Sequence, residues 1–189
     1  MRLALFGGTF DPIHAAHLTV AREAADRFAL DRVLFVPNAH PPHKGGKVTA
    51  NYESRARMAE LACETDPRFR VSRLEAGAEK SYSILTIEKV RQEIDARDEL
   101  FFLIGSDAFA ELSSWYRWRD VIAAVEFIVV TRPGHDYATP AGARVLRLET
   151  LALPVSSSDI RAALARGEAS EELPPAVAAY IREQGLYGQ

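Results

Sequence analysis

Two histidines three positions apart, His14 and His17, follow a glycine pair in the stretch GGTFDPIHAAH, Gly7 to His17. At that spacing on a helix the imidazoles project from neighbouring places on one face. Near the positive end of the helix they can donate hydrogen bonds to phosphate oxygens. An HxxH pair alone more often marks an ordinary surface helix, and a zinc site would need HExxH and a further ligand set, neither of which is in view. The company it keeps favours the functional pair. Gly7 and Gly8 come directly behind the apolar run Leu3 to Phe6. A glycine pair there lets backbone approach a ligand closely and take up positive φ, as a phosphate-holding turn requires. The dinucleotide fingerprint GxGxxG and the P-loop GxxxxGK[ST] are both absent.

Three further stretches carry chemistry. In VSSSDIR, Val155 to Arg161, serine hydroxyls and free N–H groups at a helix start make an anion site, and Arg161 adds a fork of donors one turn in. Standing alone, the same stretch reads as a plain serine cap with a solvated arginine. PNAHPPHK, Pro37 to Lys44, offers Lys44 as a mobile point charge for phosphate, assisted by His43, on a loop stiffened by prolines. IGSDAFAELSSWYRW, Ile104 to Trp118, supplies Gly105 for close backbone approach, Asp107 as an acceptor for ribose hydroxyls, and Trp115, Tyr116 and Trp118 as flat faces for an aromatic ring. Trp118, one helical turn from Trp115, is expected in the core, and Trp115, behind Ser113 and Ser114, at the ligand.

These residues need a frame to bring them together. Short β-branched or aromatic runs at Leu3 to Phe6, Arg32 to Val36, Phe69 to Ser72, Leu100 to Ile104, Phe127 to Thr131 and Arg144 to Leu148 alternate with stretches of helical periodicity. Leu18, Ala21, Ala25 and Phe28 share one helix face, and Ile84, Ile87, Val90 and Ile94 another. SSSDIRAALARG starts at serine caps and stops at Gly167; LPPAVAAYIREQG starts at a proline and stops at Gly185. Irregular segments are expected at Asn38 to Ala50 and Arg132 to Gly142. The pattern predicts an α/β fold, a doubly wound, Rossmann-like parallel sheet with helices on both faces and a small C-terminal helical part over about 156–189, all within one domain spanning 1–189. In such sheets ligands sit beyond the carboxyl ends of the strands, where the loops just named lie.

Composition narrows the class. The chain has 189 residues, 48% of them hydrophobic and 26% charged, enough for one good core and unlike the signature of disorder. A formal net charge of −3 gives no whole-molecule pull toward nucleic acid or anionic membrane. The lone Cys63 forms no internal disulfide, and no uninterrupted apolar run reaches the length a membrane span needs. A soluble, cytoplasmic protein with no nucleic-acid or membrane partner is expected, with homo-oligomerisation left open.

The opening stretch resembles the GGxFxPxHxxH signature of the nucleotidyltransferases related to class I aminoacyl-tRNA synthetases by their HxGH motif. VSSSDIR resembles that superfamily's second phosphate motif, ISSTxIR. With the PPHK loop, GSDxFxELxxWxRW, SYSILTIEKV, VVTRPG and the closing YIREQGLY, the chain is similar nearly end to end to the bacterial nicotinate mononucleotide adenylyltransferases. Two positions depart: Ala16 and Leu85 stand where the family commonly has Gly and Asp. The resemblance implies a nucleotidyltransferase-type fold and adenylyl transfer from ATP to nicotinate mononucleotide, with Mg²⁺ carried on the ATP and no protein-held metal. It implies His14, His17 and Lys44 as catalytic residues. ATP would lie against Gly7, Gly8, Thr9, Phe10, His14, His17, Gly105, Asp107, Ser156, Ser157 and Arg161. The mononucleotide would meet Lys44, Thr86, Trp115, Tyr116 and Arg132, its ring stacked on Trp115 and its carboxylate on backbone amides near Thr86 and Tyr116. Related enzymes acting on nicotinamide mononucleotide or phosphopantetheine share the phosphate motifs, and a nonenzymatic nucleotide-binding module would share the fold.

Overall fold

The computed structural model describes residues 1–40, 49–151 and 155–188. Six strands form one sheet: β1 (Arg2–Gly8), β2 (Arg32–Pro37), β3 (Phe69–Val71), β4 (Glu99–Gly105), β5 (Glu126–Thr131) and β6 (Val145–Glu149). Every pairing is parallel and the order is β3-β2-β1-β4-β5-β6. The chain winds outward from β1 to β3, then crosses back to β4 and winds the other way. The loops leaving β1 and β4 therefore diverge, and a crevice opens between them at the carboxyl edge.

The helices are α1 (Ala15–Arg27), α2 (Tyr52–Cys63), α3 (Ser83–Glu93), α4 (Ser106–Ala110), α5 (Trp118–Ala124), α6 (Ser157–Ala165) and α7 (Pro175–Glu183), with 3-10 turns at Leu112–Ser114 and Leu186–Gly188. Because side chains alternate across a strand, β4 sends Phe101 and Leu103 into one core and Phe102 and Ile104 into the other. The first core takes Leu18 and Ala21 of α1, Met58 of α2, Ile160 of α6 and Ile181 of α7. The second takes Ile84 and Ile87 of α3, Phe109 of α4 and Val121 of α5. Each large apolar side chain so buried contributes about 1.5–3 kcal/mol. This is the doubly wound sheet the sequence pattern predicts, and all six strand expectations fall on strands.

Three expectations need correction. Neither Gly7 nor Gly8 has positive φ; the left-handed residue in that turn is Phe10, at φ 50°. Trp118 is half-buried rather than core, capped by the guanidinium of Arg119 at 4.5 Å from the ring centroid. A left-handed Arg117, φ 51°, turns the chain between the two tryptophans, so Trp115 and Trp118 are not on consecutive turns of one helix. Helix α2, which the periodicity did not reveal, starts where the Asn51 side chain accepts the Ser54 N–H at 2.8 Å.

Candidate active site

Strand β1 delivers Gly7 and Gly8 to the crevice. A Cβ on Gly8 would lie 2.7 Å from the Phe10 ring, so glycine makes room for that ring to fold back over the strand end. Phe10 is buried, 5.7 Å from Phe35 and 5.2 Å from the His17 ring, edge-on to the latter. His14 is the extended residue that caps α1. The His17 side chain reaches back, its Nδ1 accepting the His14 backbone N–H at 3.2 Å. That bond makes Nδ1 the acceptor and leaves the ring proton on Nε2, a donor. The two rings lie 3.8 Å apart, tilted by 35°. Burial pushes the His14 pKa down to about 4, so its imidazole is neutral at pH 7. His14 Nδ1 is buried, with no hydrogen-bond partner among the described residues.

The second motif docks on the first. Ser157 Oγ donates to the Pro12 carbonyl at 3.0 Å, and Arg161 Nη1 donates to the Asp11 carbonyl at 2.7 Å. Arg161 Nη2 also reaches Ser158 Oγ, at 3.2 Å. Ser156 caps α6, its Oγ accepting the Asp159 N–H at 3.1 Å. These contacts place the starts of α1 and α6 together, so two positive helix ends converge on one corner. Among the described residues its two bonds leave most of the five Arg161 donors uncommitted.

From the glycine pair a cavity of about 480 Å³ extends toward α3 and the 3-10 turn. Of the residues expected at the site, Gly7, Gly8, Thr9, Gly105, Trp115 and Tyr116 line it. Trp115 stands edge-on against Phe102, centroids 6.0 Å apart, and Tyr116, 53% exposed, lies 4.6 Å from the Tyr82 ring. Tyr82 is the cap of α3 and offers no side-chain bond to the helix start. The amides of Leu85 and Thr86 both go to its carbonyl, the second at 3.4 Å. Asp107 is exposed in the first turn of α4. Thr86 and Arg132 are not in the cavity wall. Thr86 is buried with its hydroxyl on Glu75, and Arg132 is exposed beyond β5. Lys44 and His43 fall outside the described residues. Leu85 is exposed, and Ala16 is buried at the start of α1.

Spacing alone did not reveal the charged groups beneath the site. Asp11 is 2% exposed; its Oδ1 accepts the Tyr187 hydroxyl at 2.6 Å and the Ala50 N–H at 3.1 Å, and its Oδ2 the Thr49 N–H at 2.7 Å. Arg55, 1% exposed, donates to the carbonyls of Thr9 at 2.7 Å, Asn38 at 2.8 Å and Ala50 at 3.1 Å. Asp11 lies inside the histidine motif, but its partners stand 38 to 176 residues away in the chain, where no spacing rule reaches. Among the described residues no group of three or more His, Cys, Asp or Glu side chains is arranged to hold a metal ion. None of the described helices is long and apolar enough to cross a membrane.

Comparison with known proteins agrees with this geometry. The cytidylyltransferase-like family model matches residues 5–163, from β1 into α6. A protein of Solibacter usitatus named "Probable nicotinate-nucleotide adenylyltransferase" is 62% identical over 187 residues, covering 99% of this chain and all of that one. One of the same name from Geobacter sulfurreducens is 38% identical, covering 99% and 98%. The solved Plasmodium falciparum nicotinic acid mononucleotide adenylyltransferase complexed with NaAD superposes with a TM-score of 0.80 at 19% identity, over 98% of this chain and 97% of that one, a likeness of fold. The match from β1 into α6 spans both halves of the crevice, and the full-length relatives extend it to the ends of the chain: this protein belongs to the cytidylyltransferase-like family, among its nicotinate-nucleotide adenylyltransferases.

Proposed function

We propose that this protein transfers the adenylyl group of ATP to nicotinate mononucleotide, giving deamido-NAD and pyrophosphate, a step of NAD biosynthesis in the cytoplasm. The observation that carries the reading is the meeting of two features at the sheet's switch point. The turn Gly7 to Thr9, which leads into the phosphate corner at the starts of α1 and α6, also lines the cavity walled by Trp115, Tyr82 and Tyr116.

A phosphate oxygen of the mononucleotide attacks the α-phosphorus of ATP. The new P–O bond forms as the α–β bridging bond breaks, and its electron pair leaves with pyrophosphate. The attacking phosphate is ionised at neutral pH, so no protein base or nucleophile is needed and catalysis rests on alignment and charge. In this reading His17 Nε2–H and the neutral His14 donate to the α-phosphate and the leaving group, while the backbone N–H of Ser157, whose hydroxyl is given to Pro12, and the remaining N–H groups of Arg161 hold the distal phosphates. Lys44 bridges incoming and departing phosphates. Mg²⁺ enters as part of the Mg-ATP substrate and neutralises triphosphate charge. The carboxylate of Asp11, the acidic side chain of the histidine motif, is engaged with three protein donors.

The acid is preferred over the amide because the ring end presents N–H groups. The Tyr116 amide has no partner among the described residues, and the α3 start carries no side-chain cap. Backbone donors accept a carboxylate and meet the NH₂ of a carboxamide donor to donor. Pyrophosphate release with Mg-ATP and equal concentrations of nicotinate mononucleotide, nicotinamide mononucleotide or phosphopantetheine tests the assignment. Clear preference for the first is expected. Turnover only with another acceptor would keep the transfer chemistry and overturn the ring pocket, and silence with all three would leave a nucleotide-binding module.

A further inference from the structure

The peptide group between Asn38 and Ala39 is gripped at both ends by buried opposite charges. Its carbonyl accepts from Arg55 Nη1 at 2.8 Å, and its N–H donates to Glu75 Oε2 at 3.2 Å. Arg55 and Glu75 are 1% and 6% exposed. The Asn38 N–H in turn donates to the Gly8 carbonyl at 2.9 Å, so this backbone is fixed on three sides. The Asn38 side chain lines the cavity beside Gly7, its Oδ1 3.7 Å from where a Cβ on that glycine would stand, and no hydrogen bond among the described residues engages its carboxamide. The other oxygen of Glu75, Oε1, accepts the Thr86 hydroxyl of α3 at 2.7 Å. Alongside, the His40 N–H donates to Ser81 Oγ at 2.9 Å and the Ser81 N–H to the His40 carbonyl at 3.2 Å. One buried carboxylate thus ties the β2 wall of the cavity to the α3 wall, which carries Tyr82 and Ser83.

Such a placement needs an oxygen acceptor for the Ala39 N–H and a hydrogen-bond partner for the Thr86 hydroxyl. A carboxylate satisfies a backbone N–H and a hydroxyl at once, whereas an unpaired buried charge or donor here would be costly. Arg55 and Glu75 together orient the peptide plane directly behind Asn38. Asn38 shares the cavity wall with the glycine turn and with Tyr82 and Trp115, so a mononucleotide with its phosphate at the former and its ring at the latter brings its pentose within that wall.

We propose that Glu75, acting with Arg55, is a positioning residue for the acceptor mononucleotide: it fixes the 38–39 peptide so that the Asn38 carboxamide meets the sugar hydroxyls, and it sets the distance between the two cavity walls. The proposal rests on the adenylyltransferase reading. It separates the substrates, because among the described residues the hydrogen bonds of Glu75 run to Ala39 and Thr86 and not to the starts of α1 and α6.

Steady-state rates with either substrate varied, and calorimetric binding of nicotinate mononucleotide to the intact protein, test it. Glu75→Ala should raise the acceptor KM and weaken acceptor binding on the order of tenfold, with the ATP KM within about twofold. Glu75→Gln should restore most of this, its carbonyl oxygen accepting from Ala39 and its NH₂ donating to the Thr86 hydroxyl. Thr86→Ala, which removes one half of the tie, should give an intermediate increase, and it decides the matter if Glu75→Ala does not fold. Equal increases in both KM values, or an acceptor KM unmoved in Glu75→Ala and Thr86→Ala while the parent turns over nicotinate mononucleotide, would overturn the proposal alone. A parent protein that neither binds nor uses that compound would overturn it together with the functional reading.

Discussion

The two ends of the crevice are built on opposite plans. At the phosphate end the groups that define the site are fixed from behind by buried partners: Asp11 holds three donors, Arg55 three carbonyls, and Arg161 and Ser157 clasp the Asp11-Pro12 backbone. At the ring end, Trp115 packs by an edge on Phe102 and Tyr116 is more than half exposed, held by its stack on Tyr82. Charge that develops on phosphorus must meet dipoles already in place, since reorienting them during the reaction would raise the barrier. A flat ring needs only a face, and binds well to aromatics that settle around it. On the proposed reading the rigid end governs rate and the open end governs which acceptor binds.

The largest test of that division is His17→Ala. It removes a donor at the reacting centre together with the Nδ1 that accepts the His14 N–H, so kcat should fall on the order of 10²–10³-fold while the melting temperature drops only slightly. Near-normal turnover would remove His17 from the chemistry. Trp115→Ala strikes the other end. Loss of a stacking face is worth ~1–3 kcal/mol, so the acceptor KM should rise at least several-fold with a much smaller change in kcat. A fall in kcat as large as that of the histidine variant would erase the distinction between the two ends.

Legibility in the sequence follows the same line. The strands were readable because β4 and β5 are apolar on both faces, as strands of a covered parallel sheet must be. The histidine and serine motifs were readable because each is local, a cap and its first turn. Helix α2 was not, since Ser54 and Arg55 occupy buried positions where periodicity asks for apolar residues. Arg55 looks like a surface cation until the fold brings Thr9, Asn38 and Ala50 around it. Trp118 was read as core from its spacing to Trp115, and the left-handed Arg117 between them breaks that helix. What the sequence could not show was the support of the site, because most of its bonds cross between distant segments.

A pH titration examines the rigid end without substrate. An unfolded histidine titrates near 6.5, whereas folded His14 stays neutral down to about 4 because burial opposes its charge. Between these values the unfolded chain binds the extra proton, so this contribution is fully present above pH 6.5 and declines as the pH falls toward 4, by ~3 kcal/mol at most. Melting temperatures measured across that window should fall less steeply in His14→Gln than in the parent. Bound Mg-ATP should also flatten the parent's curve, because phosphate beside the imidazole favours the protonated form. Parallel curves for parent and variant would mean that His14 is not desolvated and that the corner is wetter than its packing indicates.

The smallest effect is expected at the hinge of the open end. Arg117 holds a left-handed backbone that favours glycine, and its guanidinium pairs with Glu88 of α3 at 2.9 Å and Asp120 of α5 at 2.6 Å, all three side chains exposed. Exposed pairs of this kind are worth little, so backbone preference and ion pairing nearly offset each other here. Arg117→Ala loses the pairs and keeps the strained backbone, so it should lower the melting temperature slightly. Arg117→Gly loses the same pairs but relieves the strain, and should melt at or above the alanine variant. If the ring pocket depends on the turn rather than on the charge, the glycine variant keeps the parental acceptor KM. If its acceptor KM rises while its melting temperature holds, the tie from Arg117 to Glu88 shapes the pocket, and the open end is more firmly set than its exposure implies.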